Sequence, residues 1–123
     1  MNIAIVGATG LVGRKIIKLC EEFFDTSVEF QLFASKTSEG KILSVNDKDL
    51  AIKELNIKNI EPCDIALFSA GGVRSKEYAN EFVDRGAFVI DNSSTFRMKD
   101  DIPLVVYGIN ENTINEKTKI IAN

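Results

Sequence analysis

Short apolar runs alternate with helix-patterned segments along the chain, and glycines at positions 7, 10 and 13 directly follow the first run. Uninterrupted apolar strands belong to a sheet covered on both faces, and sheets of that kind are parallel. A glycine-rich turn between the first strand and the first helix marks the doubly wound arrangement. The sequence therefore predicts an α/β fold: a Rossmann-like, mostly parallel sheet with helices on both faces.

The elements follow in order. Ile3–Val6 is a strand that stops at Gly7. From Leu11 to Phe24, apolar residues fall at Leu11, Val12, Ile16, Ile17, Leu19, Cys20, Phe23 and Phe24, which suits a helix with a broad buried face. Phe30–Ala34 is the second strand. Residues 35–62 are mixed and polar, with short strands expected at Ile42–Val45 and Leu50–Ile52 around a turn at Asp47-Lys48-Asp49. Asp64–Ser69 is a buried strand ended by Ala70-Gly71-Gly72. Ser75 to Arg85 carries Tyr78, Ala79, Phe82 and Val83 on one helical stripe, and Gly86 stops it as a glycine beyond a helix C-cap does. Ala87–Ile90 is the next strand. A strand-like run Leu104–Tyr107, a short helix near Asn112–Glu116 and a last strand Lys119–Ala122 complete the chain.

A length of 123 residues fits one domain, and 45% apolar residues suffice for a packed core. The net charge of −3 comes without a block of like charges, which argues against nucleic acid, a partner that needs a clustered cationic surface. No apolar run reaches the roughly 18 residues of a membrane span, so no membrane is expected, and the N-terminus reads as a strand rather than a signal peptide. Cys20 and Cys63 lie far apart and form no metal spacing. They read as buried thiols in a cytoplasmic protein, and no metal is expected.

Three segments carry chemistry. In Gly7-Ala8-Thr9-Gly10-Leu11-Val12-Gly13 the glycines permit a tight turn, close approach of a pyrophosphate and close helix–strand packing. N–H groups at the helix start would face the phosphates. After the second strand comes Ser35-Lys36-Thr37-Ser38, with no carboxylate before Glu39. An acid there would bind the ribose 2′-OH of NAD, whereas hydroxyls and a cation suit the 2′-phosphate of NADP. The small residues Ser69-Ala70-Gly71-Gly72 would admit a nicotinamide ring close to the backbone, or form a plain strand–helix turn. Asp91 to Thr95 is a polar run at a strand's carboxyl end, and it leads to Arg97. The planar fork of Arg97 fits phosphate or carboxylate bidentately, or makes a surface ion pair.

GATGLVG (Gly7–Gly13), the Leu32–Lys41 run, DIALFSAGG (Asp64–Gly72), VIDNSSTFRM (Val89–Met98), DIPLVV (Asp101–Val106) and IIAN (Ile120–Asn123) together resemble aspartate-semialdehyde dehydrogenase over essentially the whole chain. The resemblance implies an NADPH-dependent enzyme that reductively dephosphorylates aspartyl 4-phosphate to aspartate semialdehyde, toward lysine, threonine and methionine. In that family a cysteine forms a thioacyl intermediate and follows an asparagine that Asn123 matches. Residues 1–123 would then be a truncated N-terminal NAD(P)-binding domain without the catalytic and dimerisation domain. No catalytic residue would lie in this chain, which would be inactive alone, and the whole enzyme would be a homodimer or homotetramer. By the same resemblance Thr9, Gly10, Leu11 and Val12 would hold the pyrophosphate, mostly through backbone N–H groups, and Gly7 belongs to the same cofactor-binding loop. Ser35, Thr37 and Ser38 face the adenosine ribose and its 2′-phosphate, Ala70 and Gly71 border the nicotinamide, and Arg97 binds the phosphate of the small-molecule substrate.

Two departures stand out. Thr37 stands where many members carry arginine, and Tyr107-Gly108-Ile109-Asn110 where many read PEVN. Among alternatives, N-acyl-γ-glutamyl-phosphate reductase shares the chemistry, and the DNSS-x-FRM run favours the first family. A short-chain dehydrogenase would need Tyr-x-x-x-Lys, which neither Tyr78 nor Tyr107 supplies. A non-enzymatic NADP-binding domain would use the same glycine loop.

Overall fold

Neighbouring side chains on a strand point to opposite faces of a sheet, and in β1 (Asn2–Val6) both faces are apolar. Ile3 and Ile5 enter one core, Ala4 and Val6 another, and all are essentially inaccessible to water. Only a central strand of a sheet covered on both sides meets that condition. The computed structural model describes residues 1–123. Around β1 it places α1 (Leu11–Phe23), β2 (Glu29–Ala34), a hairpin of β3 (Ile42–Val45) and β4 (Lys48–Ala51), the two-residue β5 (Lys53–Glu54), β6 (Ile65–Phe68), α2 (Gly72–Asp84), β7 (Phe88–Asp91) and β8 (Ile120–Ala122).

The main sheet has six strands in the order β5-β2-β1-β6-β7-β8, and every pairing in it is parallel. Counting only its own strands, this is the order 3-2-1-4-5-6 of two βαβ halves meeting between β1 and β6. Helix α1 packs Ile17 and Cys20 on the Ile3, Ile5 and Leu32 face. Helix α2 packs Ala79 and Phe82 on the other face, against Ala4, Val6, Phe33, Phe68 and Val89. Phe82 meets the rings of Phe33 and Phe68 edge to face, at centroid distances of 5.6 and 5.3 Å. The predicted fold class holds on both faces.

Between β2 and β6 the chain makes the hairpin instead of an α-helix. Its turn sits at Asn46-Asp47, whose φ angles of 50° and 61° are the paired left-handed values of a two-residue hairpin turn. The second strand therefore starts at Lys48, inside the segment that reads as a turn in the sequence. The Asn46 N–H donates to Glu21 Oε1 at 2.8 Å and ties the hairpin to α1.

Helix α2 begins at Gly72, three residues ahead of the sequence expectation, with Gly71 at φ 87° turning the chain into it. It ends as predicted. Gly86, at φ 93°, donates to the Val83 carbonyl and Ala87 to that of Phe82, at 2.9 and 3.0 Å, which closes the helix with a left-handed glycine. The Leu104–Tyr107 run is not a strand; Leu104 alone bridges to Ala122. The Asn110 side chain takes the neighbouring backbone groups, accepting from Val106 N–H at 2.7 Å and donating to the Leu104 carbonyl at 2.8 Å. The short helix expected near Asn112–Glu116 is a 3-10 turn at Glu111–Thr113.

Candidate functional site at the sheet switch point

The glycine loop leaves β1 at its carboxyl end and is fastened before it turns. The N–H groups of Gly7 and Ala8 both donate to the Phe33 carbonyl of β2, at 2.9 and 3.0 Å, and Gly10 N–H donates to the Gly7 carbonyl at 3.1 Å. Gly7 sits at φ 94°, and a Cβ there would lie 2.9 Å from the Ser69 carbonyl carbon. A Cβ at Gly13 would lie 1.9 Å from the Gly7 oxygen. Glycine at 7 thus lets the chain at the end of β6 pass close against the loop, and glycine at 13 lets α1 start against the loop.

The first helical hydrogen bond of α1 runs from Arg14 N–H to the Gly10 carbonyl, at 3.0 Å. The N–H groups of Leu11, Val12 and Gly13 therefore have no partner in the helix, and Gly10 brings no side chain to cap them. Unpaired donors, a bare backbone and the positive end of a helix suit an anion. The group that the fold implies is a dinucleotide, and its pyrophosphate fits this cradle.

A cleft of about 270 Å³ opens beside the loop, lined by Gly7, Thr9, Gly10, Ser35, Ser69 and Ala70 together with Ala34, Leu55 and Arg74. It lies at the carboxyl ends of β1, β2 and β6, where ligands of open α/β sheets bind. A second cleft of about 520 Å³ shares Ala34, Ser35, Leu55 and Arg74 and extends past Lys36, Thr37, Glu54 and Tyr78. Ser35 Oγ and Thr37 Oγ1 lie 2.9 Å apart in the 3-10 turn after β2.

The expected residues gather here with some exceptions. Leu11 and Val12 contribute backbone donors, while their side chains are exposed. Ser38 is buried and lines neither cleft. Gly71 is the N-cap of α2 and lines neither cleft. Nothing local in the sequence marks Arg74 and Leu55, since only the pairing of β6 beside β1 brings α2 to the glycine loop, and only that of β5 beside β2 brings Leu55.

The Asp91–Arg97 segment forms a separate cluster at the ends of β7 and β8. Asp91 is fully buried and accepts from Ser75 Oγ at 2.5 Å, from Ser93 Oγ at 2.6 Å and from Ser93 N–H at 3.2 Å. Thr95 Oγ1 donates to the Gly72 carbonyl at 2.7 Å, so this segment grips the start of α2. Arg97 is exposed; its Nε donates to the Asn123 carbonyl at 3.0 Å and its Nη2 to that of Asn92 at 3.4 Å. Both cysteines are buried and free. Burial raises the pKa of the Cys20 thiol, and burial with the adjacent Asp64 charge pushes that of Cys63 up to about 11. Neither is a thiolate nucleophile near neutral pH.

Comparison with known proteins agrees with this geometry. Residues 2–117 match the family described as semialdehyde dehydrogenase, NAD binding domain. The chain is 49% identical to an aspartate-semialdehyde dehydrogenase of Aquifex aeolicus, with 99% of this chain and 37% of that protein covered. It is 42% identical to one of Bacillus subtilis, with 100% and 36% covered. The crystal structure of aspartate semialdehyde dehydrogenase II from Vibrio cholerae complexed with ASA superposes with a TM-score of 0.85 at 40% identity, covering 99% of this chain and 40% of that one. The chain thus spans 36% to 40% of the length of these relatives.

Proposed function

The chain belongs to the semialdehyde dehydrogenase NAD-binding family, and from that premise we propose that it is the NADP-binding domain of an aspartate-semialdehyde dehydrogenase. The enzyme would reductively dephosphorylate aspartyl 4-phosphate, a step toward lysine, threonine and methionine, in the cytoplasm and as a homodimer or homotetramer. The observation that carries the cofactor reading is the cradle of Gly7–Gly13 at the meeting of the two βαβ halves, with a cleft beside it.

A bound nicotinamide supplies hydride to the reaction. The chain's own residues bind and orient. The N–H groups of Leu11, Val12 and Gly13 hold pyrophosphate oxygens, and the hydroxyls of Ser35 and Thr37 receive the adenosine ribose. Ala70, with its small side chain in the cleft, leaves room for the nicotinamide end. Arg97, anchored through Nε and Nη2, keeps Nη1 for an oxygen of the substrate phosphate.

NADPH fluorescence titration of the chain tests the cofactor assignment. Saturable enhancement is expected, and Gly7→Val should abolish it by filling the contact with Ser69. A flat titration of the unsubstituted chain would remove the assignment. The reaction is tested by steady-state rates of the enzyme carrying this domain with aspartate semialdehyde against the longer glutamate-derived semialdehyde; preference for the latter would overturn it.

A further inference from the structure

Of the four arginines, Arg74 alone leaves its guanidinium idle. Arg14 Nε donates to the Thr9 carbonyl at 3.1 Å, Arg85 pairs with Glu81 at 2.9 Å, and Arg97 holds Asn123. Arg74 is exposed, with neither an ion pair nor a side-chain hydrogen bond. It also occupies the first turn of α2, where a positive charge opposes the helix dipole. A side chain that weakens its own helix and bonds to nothing in the fold is placed for something outside it.

Its position says what. Arg74 is the only charged residue lining the cleft beside the glycine loop, and it also lines the adjoining cleft with Lys36 and Thr37. A dinucleotide whose pyrophosphate rests on Gly7–Gly13 carries its adenosine ribose past the end of β2, into the region where the two clefts share Ala34, Ser35, Leu55 and Arg74. There the turn after β2 offers hydroxyls and α2 offers a guanidinium, whose planar fork matches a phosphate monoester.

We propose that Arg74 reads the 2′-phosphate of NADP and sets the preference for NADP over NAD; this rests on the dinucleotide reading above. The charges of the second cleft sharpen the expectation. Lys36 and Arg74 line it opposed by Glu54 and Glu77. Without Arg74 the acids outnumber the cation, and the cleft repels a 2′-phosphate while accepting a 2′-OH.

The test is calorimetric titration of the chain and its Arg74→Ala and Arg74→Lys variants with NADP, NAD, 2′,5′-ADP and 5′-AMP. The unsubstituted chain binds NADP more tightly than NAD. Arg74→Ala weakens NADP and 2′,5′-ADP about tenfold, the scale of one lost charge-assisted pair, and leaves NAD and 5′-AMP unchanged. Arg74→Lys recovers part of the loss, and the thermal midpoint of the ligand-free Arg74→Ala chain does not fall. An unchanged NADP-to-NAD ratio in Arg74→Ala, or an equal loss for both nucleotides, overturns the proposal. Equal binding of NAD and NADP by the unsubstituted chain overturns it while leaving the dinucleotide reading intact. Binding of neither overturns that reading and this proposal together.

Discussion

The Ser75 hydroxyl donates to Asp91 Oδ1 at 2.5 Å, and both residues are fully buried. The bond joins the first turns of α2 to the end of β7. No cation pairs with this side chain, so its oxygens are served by hydrogen bonds from Ser75 and Ser93 alone. Removing a donor from a buried carboxylate costs about 1–3 kcal/mol. Ser75→Ala should lower the unfolding free energy by that amount in urea titration. An unchanged midpoint would mean that Ser93 satisfies Asp91 unaided.

Phe82 anchors α2 to the sheet through its two edge-to-face contacts with Phe33 and Phe68. Phe82→Ala should cost about 3–5 kcal/mol, much of the stability of a domain this size. The check is the denaturation midpoint, which should drop sharply. A shift no larger than that of an exposed Phe23→Ala control would contradict the packing described.

Gly13→Ala and Gly10→Ala separate packing from mere glycine content. At position 13 the new methyl would fall 1.9 Å from the backbone oxygen of Gly7, which cannot step aside; at 10 the nearest contact is 3.4 Å. Gly13→Ala should destabilise by about 3 kcal/mol, the upper end for overpacking, and lose NADPH binding. Gly10→Ala should fold like the unsubstituted chain. Equal thermal midpoints for the two variants would refute the geometry of the loop.

The cysteines should be silent in the folded chain. Neither Cys20 nor Cys63 should react with a thiol reagent at pH 7.5, and both should react in denaturant; rapid labelling of the native chain would place a thiol at the surface. Folding raises the Cys63 pKa from 9.0 to about 11. The protonated thiol is favoured in the folded state, so stability is full below pH 9 and declines as pH rises toward 11. With both thiols protonated and no histidine in the sequence, the purified chain should show no dehydrogenase turnover with NADP, phosphate and aspartate semialdehyde. Measurable turnover would assign the chemistry to one of these thiols.

Much of the scaffold is written in local pattern. The runs at Ile3–Val6, Asp64–Ser69 and Ala87–Ile90 are short, largely apolar and bounded by turn residues, and each holds a strand of the sheet; Gly86 closes α2 as its position promises. The misses have physical reasons. Gly71-Gly72 reads as a turn, yet Gly72 starts α2, because Thr95 Oγ1 takes up the Gly72 carbonyl from above in sequence and only a residue without Cβ admits it so close. Leu104–Tyr107 has strand composition, but Asn110 claims its backbone groups. The place of the glycine loop and Ser35 in the candidate cleft was legible from their position after strands. Arg74 was not, since nothing local marks it and its neighbours in the cleft come from the ends of β1, β2, β5 and β6.

Ser69 N–H donates to the Val6 carbonyl at 2.8 Å across the junction of β1 and β6, beside Gly7. The cradle itself is built within residues 7–33, while the cleft beside it takes walls from both halves of the chain and belongs to the assembled sheet. A nucleotide that fills the whole cleft would need that distant pairing, so it would act as a latch on the completed molecule and strengthen it with the logarithm of its concentration. Severed at the Asn46-Asp47 turn, the chain would yield one piece with the glycine loop and Ser35 and another with Leu55, Ser69, Ala70 and Arg74, so neither would hold the whole cleft. NADP would then draw the pieces back together, and their reunion would serve as a sensor for the nucleotide.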